Sequence, residues 1–177
     1  MTRKDFIKTS GFAAAMATLP AMAQGAEKVV RAAVIGCGGR GVGGGYKPVN
    51  EQDFYRMGAL GNMIQAAAEC RKQGVNVKVV PVAFADFFLQ KAQAAAEKFG
   101  VDKANAYGGA NGYKEIMKRA DVDVVILTTP LNFRPQHTMA AVQAGKHVFA
   151  EKGVAVDGPG CRLMIAASKL AEQKKLT

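Results

Sequence analysis

Residues 29–41, VVRAAVIGCGGRG, decide the fold of this chain. The β-branched, apolar run Val29–Ile35 predicts a buried strand, and the glycines after it predict a tight loop. Gly36, Gly38 and Gly41 form a GxGxxG pattern at the end of this strand. The first glycine permits a sharp turn, the second lets the backbone approach a pyrophosphate, and the third allows close packing of helix on strand. The position directly after a strand favours a dinucleotide-binding loop over a plain glycine-rich turn.

The remainder of the chain alternates between helix-like and strand-like segments. Apolar residues at helical spacing predict helices at 54–73, 87–100, 112–120, 134–145 and 157–175. Apolar runs predict strands at 75–86, 105–109, 121–130 and 146–151. This alternation predicts an α/β protein with a doubly wound parallel sheet of about five strands, the Rossmann fold. Pro81 predicts that the second strand lies at an edge or contains a bulge, and Asp157 is the expected N-cap of the last helix.

Asp86, at the end of the second predicted strand, is the candidate for the acidic residue that binds ribose in such folds. It lies further from the glycine loop than the usual spacing of about 20 residues, which we attribute to an enlarged first crossover around residues 43–74. A helix N-cap role is an alternative for Asp86, and the two roles are compatible. Because Phe87 and Phe88 follow it, rather than a residue that would receive a 2′-phosphate, we expect NAD in preference to NADP.

The N-terminus has the three parts of an export signal. TRKDFIK at residues 2–8 is a basic start, a short apolar stretch follows, and Ala21-Met22-Ala23 is a small-x-small cleavage site. TRKDFIK resembles the twin-arginine signal, with Lys4 in place of the second arginine. The apolar stretch is too short for a stable membrane span. We expect residues 1–23 to direct the protein to the periplasm or out of the cell, the alternative being an amphipathic helix, and residues 24–177 to form one Rossmann domain.

Composition limits the classes of function. The chain has 177 residues, of which 49% are apolar, and a formal net charge of +10. Its basic residues are dispersed, it has no Trp, and aromatic and basic residues do not alternate, so we expect no nucleic-acid partner. Cys37, Cys70 and Cys161 are widely spaced, and the chain has only two histidines. We therefore expect unpaired thiols and no metal site.

Six short motifs occur in an order that resembles one protein family. They are IGCGGRG at 35–41, ADFF at 85–88, TTP at 128–130, AGKHVF at 144–149, EK at 151–152 and VAVD at 154–157. The order resembles the glucose–fructose oxidoreductase / inositol dehydrogenase family (Gfo/Idh/MocA), over about residues 29–177. The resemblance implies a nicotinamide-dependent oxidoreductase that acts on a sugar, a polyol or a related hydroxyl compound.

The same resemblance implies two groups of site residues. The residues it implies for cofactor binding are Gly36, Cys37, Gly38, Gly39, Arg40, Gly41, Asp86, Thr128, Thr129, Pro130, Glu151 and Lys152. Lys152, with Glu151 beside it, is implied to be catalytic, because the family's lysine lies near the nicotinamide and the reacting hydroxyl. A cation there lowers the pKa of the hydroxyl and relays its proton.

Four polar residues near this segment have alternative interpretations. Asn132 and Arg134 either face the cofactor cleft or serve helix initiation and surface charge. His137 and His147 are expected to be structural hydrogen-bonding residues.

Two departures from the family pattern affect this interpretation. Gly153 replaces the family's proline, which removes a constraint on the backbone beside Lys152. The family's C-terminal substrate domain and the sixth strand of its Rossmann sheet have no counterpart before Thr177. We therefore expect the N-terminal part of a larger enzyme, which is inactive by itself and either marginally stable or self-associating as a homo-oligomer. The alternatives are a non-catalytic truncated dinucleotide-binding module and an NAD-dependent glycosidase of the same family.

Overall fold

The computed structural model describes residues 26–44 and 57–177. The elements follow the predicted alternation of strands and helices. In chain order they are β1 (Lys28–Ile35), α1 (Gly39–Val42), α2 (Gly58–Lys72), β2 (Val77–Asp86), α3 (Leu89–Lys98), a 3-10 turn (Lys103–Asn105), β3 (Ala106–Gly108), α4 (Gly112–Lys118), β4 (Val124–Leu127), α5 (Arg134–Gln143), β5 (His147–Ala150) and α6 (Gly158–Gln173). The expected export signal and the first residues of the helix predicted at 54–73 lie outside the described residues.

The five strands form one sheet in the order β3-β2-β1-β4-β5. Every neighbouring pair is parallel. The chain builds outward from β1 in one direction through β2 and β3, and then returns to the other side of β1 for β4 and β5. In such a sheet a ligand crevice opens at the carboxyl ends of the strands, where the winding direction reverses. The predicted doubly wound fold is confirmed.

Helices cover both faces of the sheet. On one face, α2 and α3 pack on β1 and β2 around Leu60, Ala92 and Phe84, each of which is 0% exposed. On the other face, α4 and α5 enclose a second apolar cluster that includes Ile116 and Leu127. Burying a large side chain of this kind stabilises the fold by about 1.5–3 kcal/mol. The two clusters therefore hold the sheet rigidly between its helices.

Two local predictions concerned proline and aspartate. Ala32 pairs with Pro81 and Ala33 pairs with Ala83, so Val82 is an extra residue in β2. β2 lies between β1 and β3, but β3 pairs only with Phe84 to Asp86. Pro81 therefore marks a bulge in the part of β2 that pairs with β1 alone. The Asp157 carboxylate accepts a hydrogen bond from the backbone N–H of Gly160 at 2.7 Å, and it therefore caps α6 as predicted.

The outer edge of β5 is in contact with the last residue of the chain. The backbone N–H of Val148 donates to the Thr177 carbonyl at 2.7 Å, and the Thr177 N–H donates to Nδ1 of His147 at 3.1 Å. His147 is thus a structural hydrogen-bonding residue. No helix in the two described ranges is long and apolar enough to cross a membrane.

Candidate functional site

Four loops meet at the carboxyl edge of the sheet. They follow β1, β2, β4 and β5, and they carry the glycine loop at 36–41, Asp86, the segment 128–130 and the pair Glu151-Lys152. The residues that the resemblance implied from four distant parts of the sequence therefore lie along one edge. That edge is where doubly wound sheets bind nucleotides.

The glycine loop leaves β1 through a sharp turn at Gly36, whose φ is +97°. This left-handed conformation strongly favours glycine. A Cβ on Gly36 would also lie 2.8 Å from the carbonyl carbon of Thr128. Gly41, in α1, is held against the Gly36 carbonyl oxygen and Oγ1 of Thr128, so a Cβ there would overlap both atoms. Both glycines are needed for the close packing of the loop on β1 and β4.

The tip of the loop has room and hydrogen-bond donors for an anion. A Cβ built on Gly38 or Gly39 would meet no atom within 4 Å. Within the described part of the chain, the backbone amides of Gly38, Gly39 and Arg40 donate no hydrogen bond, whereas those of the next three residues bond back to the loop. The Arg40 side chain is exposed. Free amides and a cation facing open space fit the pyrophosphate of a dinucleotide.

Asp86 links the ends of β1 and β2. Its Oδ2 accepts a hydrogen bond from the Cys37 N–H at 2.8 Å, and its Oδ1 accepts one from the Phe88 N–H at 3.0 Å, just before α3. The carboxylate therefore orients the glycine loop and holds the turn before α3, whose N-cap is Phe88 and not Asp86. An ionised carboxylate has about four acceptor positions, so two remain for the hydroxyls of a ribose.

Cys37 lies inside the loop, and its role there is packing. Its side chain is 6% exposed, and Sγ lies 3.4 Å from the Ala85 carbonyl oxygen. Burial, reinforced by the charge of Asp86, raises the pKa of the Cys37 thiol to about 12. The thiol is therefore protonated at neutral pH and unsuited to nucleophilic or redox chemistry. Of the implied cofactor-binding residues, Cys37 can contribute its backbone but not a thiolate.

The segment 128–130 ties β4 to the glycine loop. Oγ1 of Thr128 donates to the Gly36 carbonyl at 2.5 Å, and the Thr128 N–H donates to the Ile35 carbonyl at 3.0 Å. Thr129 is buried, and its Oγ1 has no hydrogen-bond partner among the described residues. Pro130 is exposed. Thr128 therefore shapes the loop, while Pro130 borders the open side of the crevice.

Glu151 and Lys152 follow β5. The Glu151 N–H continues the sheet by donating to the Leu127 carbonyl at 3.0 Å. Its carboxylate accepts a hydrogen bond from the backbone N–H of Lys152 at 3.1 Å. The Lys152 side chain is exposed, and no ion pair with a described residue engages its ammonium. Glu151 thus contacts the backbone of Lys152, and the ammonium is available to a ligand.

Arg134 is the residue whose place the sequence left open, and it is neither at the surface nor in the cleft. It begins α5 and is 5% exposed. The two hydrogens of its Nη1 are shared among three carbonyl oxygens, those of Glu151 and Lys152 at 2.7 Å each and that of Gly153. Its Nη2 donates to the Thr129 carbonyl at 2.5 Å. In the sequence, Arg134 is recognisable only as a basic residue before Pro135 at the start of a helix. That position does not predict the contacts with residues 151–153.

Two further polar residues from the sequence analysis, Asn132 and His137, lie at or near the start of α5. Asn132 is exposed, beside a shallow groove lined also by Leu131 and Val156. His137 is 7% exposed, and its ring stacks on Tyr113 with centroids 4.3 Å apart. Its Nδ1 has no hydrogen-bond partner among the described residues. Since Nδ1 bonds to nothing there, the structure shows ring packing where we expected hydrogen bonding.

Burial lowers the pKa of His137 to about 4, so the ring is neutral at pH 7 and its protonation would oppose folding. The described residues contain no group of three or more His, Cys, Asp or Glu side chains placed to hold a metal ion.

The sequence of this chain is similar to those of known proteins. A family model described as an oxidoreductase family with an NAD-binding Rossmann fold (GFO_IDH_MocA) matches residues 30–176. Inositol 2-dehydrogenase of Salmonella typhimurium is 35% identical over 88 residues, which are 50% of this chain and 25% of that protein. A glycosyl hydrolase family 109 protein of Shewanella pealeana is 26% identical over 167 residues, 91% of this chain and 35% of that protein.

A solved structure gives the same result. The chain is similar to a 3-ketoreductase from Actinomadura kijaniata, solved with TDP-benzene and NADP, with a TM-score of 0.55 and 26% identity. The match covers 84% of this chain and 37% of that one. The matches thus span from a quarter to somewhat more than a third of the length of these relatives. The open glycine loop, the acid at the end of β2 and the family match agree, and the chain belongs to the oxidoreductase family with an NAD-binding Rossmann fold.

Proposed function

We propose that this chain is the cofactor-binding part of an NAD-dependent oxidoreductase that transfers hydride between the nicotinamide and the hydroxyl carbon of a sugar or polyol. The observation that carries the proposal is the meeting of the glycine loop, Asp86 and Lys152 at one edge of the sheet. The loop supplies amides that donate to no described residue, for the pyrophosphate, and Lys152 supplies an exposed ammonium that forms no ion pair with a described residue. Because this chain matches only part of the length of its relatives, we propose that the contacts with substrate come from residues outside this chain.

Lys152 is the proposed catalytic residue. When bound, NAD accepts or donates the hydride. In reduction the Lys152 ammonium stabilises negative charge on the reacting oxygen and donates a proton to it as a general acid. In oxidation the neutral Lys152 amine accepts the proton of the hydroxyl as a general base and becomes the ammonium. Glu151 acts on Lys152 through the backbone N–H that it accepts, and it therefore orients the lysine rather than exchanging a proton with substrate.

The end of β2 favours NAD over NADP. If Asp86 binds the ribose hydroxyls, the 2′-phosphate of NADP would come close to its carboxylate, and the two negative groups would repel each other. The next two residues, Phe87 and Phe88, are 67% and 55% exposed and offer no positive charge. Asp86→Ser should therefore reduce the preference for NAD over NADP.

Isothermal titration of the whole chain with NAD and NADP tests the proposal. We expect NAD to bind and NADP to bind at least about tenfold more weakly, a difference of about 1.4 kcal/mol. A folded sample that binds neither nucleotide contradicts the proposal. If NAD binds, sugars and polyols are screened for NADH absorbance at 340 nm in the presence of a complementing chain. Lys152→Met should abolish NADH formation, whereas Lys169→Met, which changes an exposed lysine on α6, should preserve it.

Two alternatives lead to different results in the same experiments. A non-catalytic dinucleotide-binding module binds NAD but forms no NADH with any substrate, even when supplied with a complementing chain. The glycosidase alternative is favoured by the match to the family 109 glycosyl hydrolase over 91% of this chain. It predicts release of nitrophenol from nitrophenyl glycosides without net NADH.

We also propose export through the N-terminal segment, residues 1–23, because TRKDFIK and the Ala21-Met22-Ala23 site have the pattern of a cleaved signal. N-terminal sequencing of the protein from a periplasmic fraction tests this. The expected mature N-terminus is Gln24, and recovery of an intact Met1 in that fraction contradicts cleavage.

A further inference from the structure

We propose that Arg134 is a positioning residue of the candidate site, which fixes the backbone of residues 151–153 and so directs the Lys152 side chain. The inference rests on the proposed function, since that function places the Lys152 ammonium beside the reacting hydroxyl. Arg134 itself touches neither substrate nor cofactor in this role. It acts through the segment that carries Lys152.

The hydrogen bonds of Arg134 converge on three consecutive carbonyls. Nη1 lies 2.7 Å from the carbonyl oxygens of both Glu151 and Lys152 and also bonds to that of Gly153. Three successive carbonyls can point at one nitrogen only if the backbone curves around it. The guanidinium therefore sets the path of the chain at the end of β5.

Lys152 is held on both sides by these contacts. Its backbone N–H is bonded to the Glu151 carboxylate, and its carbonyl is bonded to Arg134. The backbone of Lys152 is thus fixed while its side chain remains exposed. A fixed backbone with a free ammonium is what a proton-transferring lysine requires, because misplacement by about 1 Å can cost about a hundredfold in rate.

The same guanidinium reaches the loop after β4. Nη2 donates to the Thr129 carbonyl at 2.5 Å. Arg134 therefore joins the two loops that border the crevice on the side of β4 and β5. A change at Arg134 should loosen both loops together.

Burial of the Arg134 guanidinium is difficult to explain by its contribution to stability alone. Arg134 is 5% exposed, none of its hydrogen-bond partners among the described residues is a carboxylate, and its Nε is buried without a partner. Burial of a cation without an anion is unfavourable unless its N–H groups are bonded. The four carbonyl oxygens accept hydrogen bonds from the guanidinium and so compensate for its burial, and without it they would need other donors.

Gly153 explains why the segment needs such a contact. Glycine has more backbone freedom than any other residue, and this one follows directly after Lys152. Its carbonyl is one of the three held by Arg134. Arg134 removes through hydrogen bonds the freedom that Gly153 introduces.

The test compares Arg134→Gln and Arg134→Lys with the matched control Arg31→Gln in the whole chain. Arg31 is also a hydrogen-bonded arginine, but it pairs with Asp123, which precedes β4 at the opposite edge of the sheet. Two readouts are measured for each protein. They are the ¹⁵N backbone order parameters of Lys152 and Gly153, and the dissociation constants of NADH and of ADP-ribose, which lacks the nicotinamide.

In Arg134→Gln we expect the order parameters of both amides to fall from about 0.85 to below about 0.6. The dissociation constant of NADH should rise about tenfold, a change of about 1.4 kcal/mol, with that of ADP-ribose changed less than about twofold. Arg134→Lys should rescue part of each effect, because lysine keeps the charge but lacks the planar fork. Arg31→Gln should change neither readout.

Unchanged order parameters in both Arg134 variants overturn the inference. Equal loss of NADH and ADP-ribose binding also overturns it, because that result indicates a merely structural role. If Arg134→Gln does not fold, Arg134→Lys decides by the same two criteria. If the wild-type chain is folded and binds neither NADH nor ADP-ribose, the proposed function fails, and the order parameters still decide whether Arg134 holds the segment.

Discussion

Alanine substitutions at Gly39 and Gly41 separate the two tasks of the glycine loop. A Cβ at Gly41 would lie 2.6 Å from Oγ1 of Thr128 and closer still to the Gly36 carbonyl oxygen. Contacts of a Cβ under 3.0 Å essentially never occur, so Gly41→Ala forces α1 and the strand ends apart by several tenths of an ångström. Overpacking of this kind costs about 1–3 kcal/mol. For a chain of this size the midpoint of thermal unfolding then falls by roughly 2–12 °C.

Gly39→Ala should have the opposite pattern. A Cβ on Gly39 meets no atom within 4 Å, and Gly39 is helical, so alanine should leave the unfolding temperature unchanged or raise it slightly. Its methyl group nevertheless enters the space beside the free amides where the pyrophosphate is proposed to bind. A steric cost of about 1–3 kcal/mol corresponds to a loss of NAD affinity of about 5- to 150-fold.

Both variants are measured in one buffer. Thermal unfolding gives the change in stability, and calorimetric titration gives the change in NAD affinity. The two substitutions are each other's controls, since each adds one methyl group to the same loop. A folded Gly39→Ala protein that binds NAD as tightly as wild type would refute the placement of the pyrophosphate at this loop. An unchanged unfolding temperature in Gly41→Ala would refute the close contact of α1 with the strands.

Three further predictions concern titration and reactivity. Because burial lowers the pKa of His137 to about 4, the unfolded chain binds a proton that the folded chain does not between about pH 6.5 and 4. Stability should fall by roughly 3 kcal/mol over that range, and His137→Phe should flatten the fall in denaturant unfolding curves. The hydrogen bond from Arg31 lowers the pKa of Asp123, so its contribution is present above about pH 3.9 and lost below it. Asp123→Asn should weaken the acid dependence in that lower range, as measured by unfolding at pH 2 to 4. Since burial raises the pKa of Cys37 to about 12, iodoacetamide at pH 8 should label the exposed Cys161 and spare Cys37 until the chain unfolds, as read by peptide mass mapping.

The sheet was predictable because each strand reads as a run of apolar residues. Residues buried on both faces of a parallel strand leave a nearly continuous apolar segment, as in Val124–Leu127, where all four residues are buried. Gly145, with φ +74°, marks a helix end by its backbone conformation alone. The bulge in β2 followed from Pro81, which cannot donate a ladder hydrogen bond. Each of these signals is local, and each fixed one element.

The candidate site was predictable in part. The glycine pattern and the end of β2 predicted the loop and the acid beside it. The helix N-cap alternative for Asp86 was wrong, since Phe88 is the N-cap of α3 and no side chain caps that helix. Ribose binding by Asp86 stays a prediction. His137 is structural, as expected, but the contact that the structure shows is the packing of its ring on Tyr113. Its Nδ1 lacks a hydrogen-bond partner among the described residues. The sequence around His137 does not indicate which distant side chains pack against its ring.

The segment after β5 shows most clearly what a local interpretation misses. A proline restrains its own φ covalently, so its loss at Gly153 is visible in the sequence and suggests a looser backbone. The restraint in the structure comes instead from Arg134, which is 17 to 19 residues away along the chain. Only the packing of α5 against the end of β5 brings its guanidinium to the carbonyls. Covalent and hydrogen-bonded restraints produce the same fixed backbone, but the first belongs to one residue, whereas the second exists only in the folded protein.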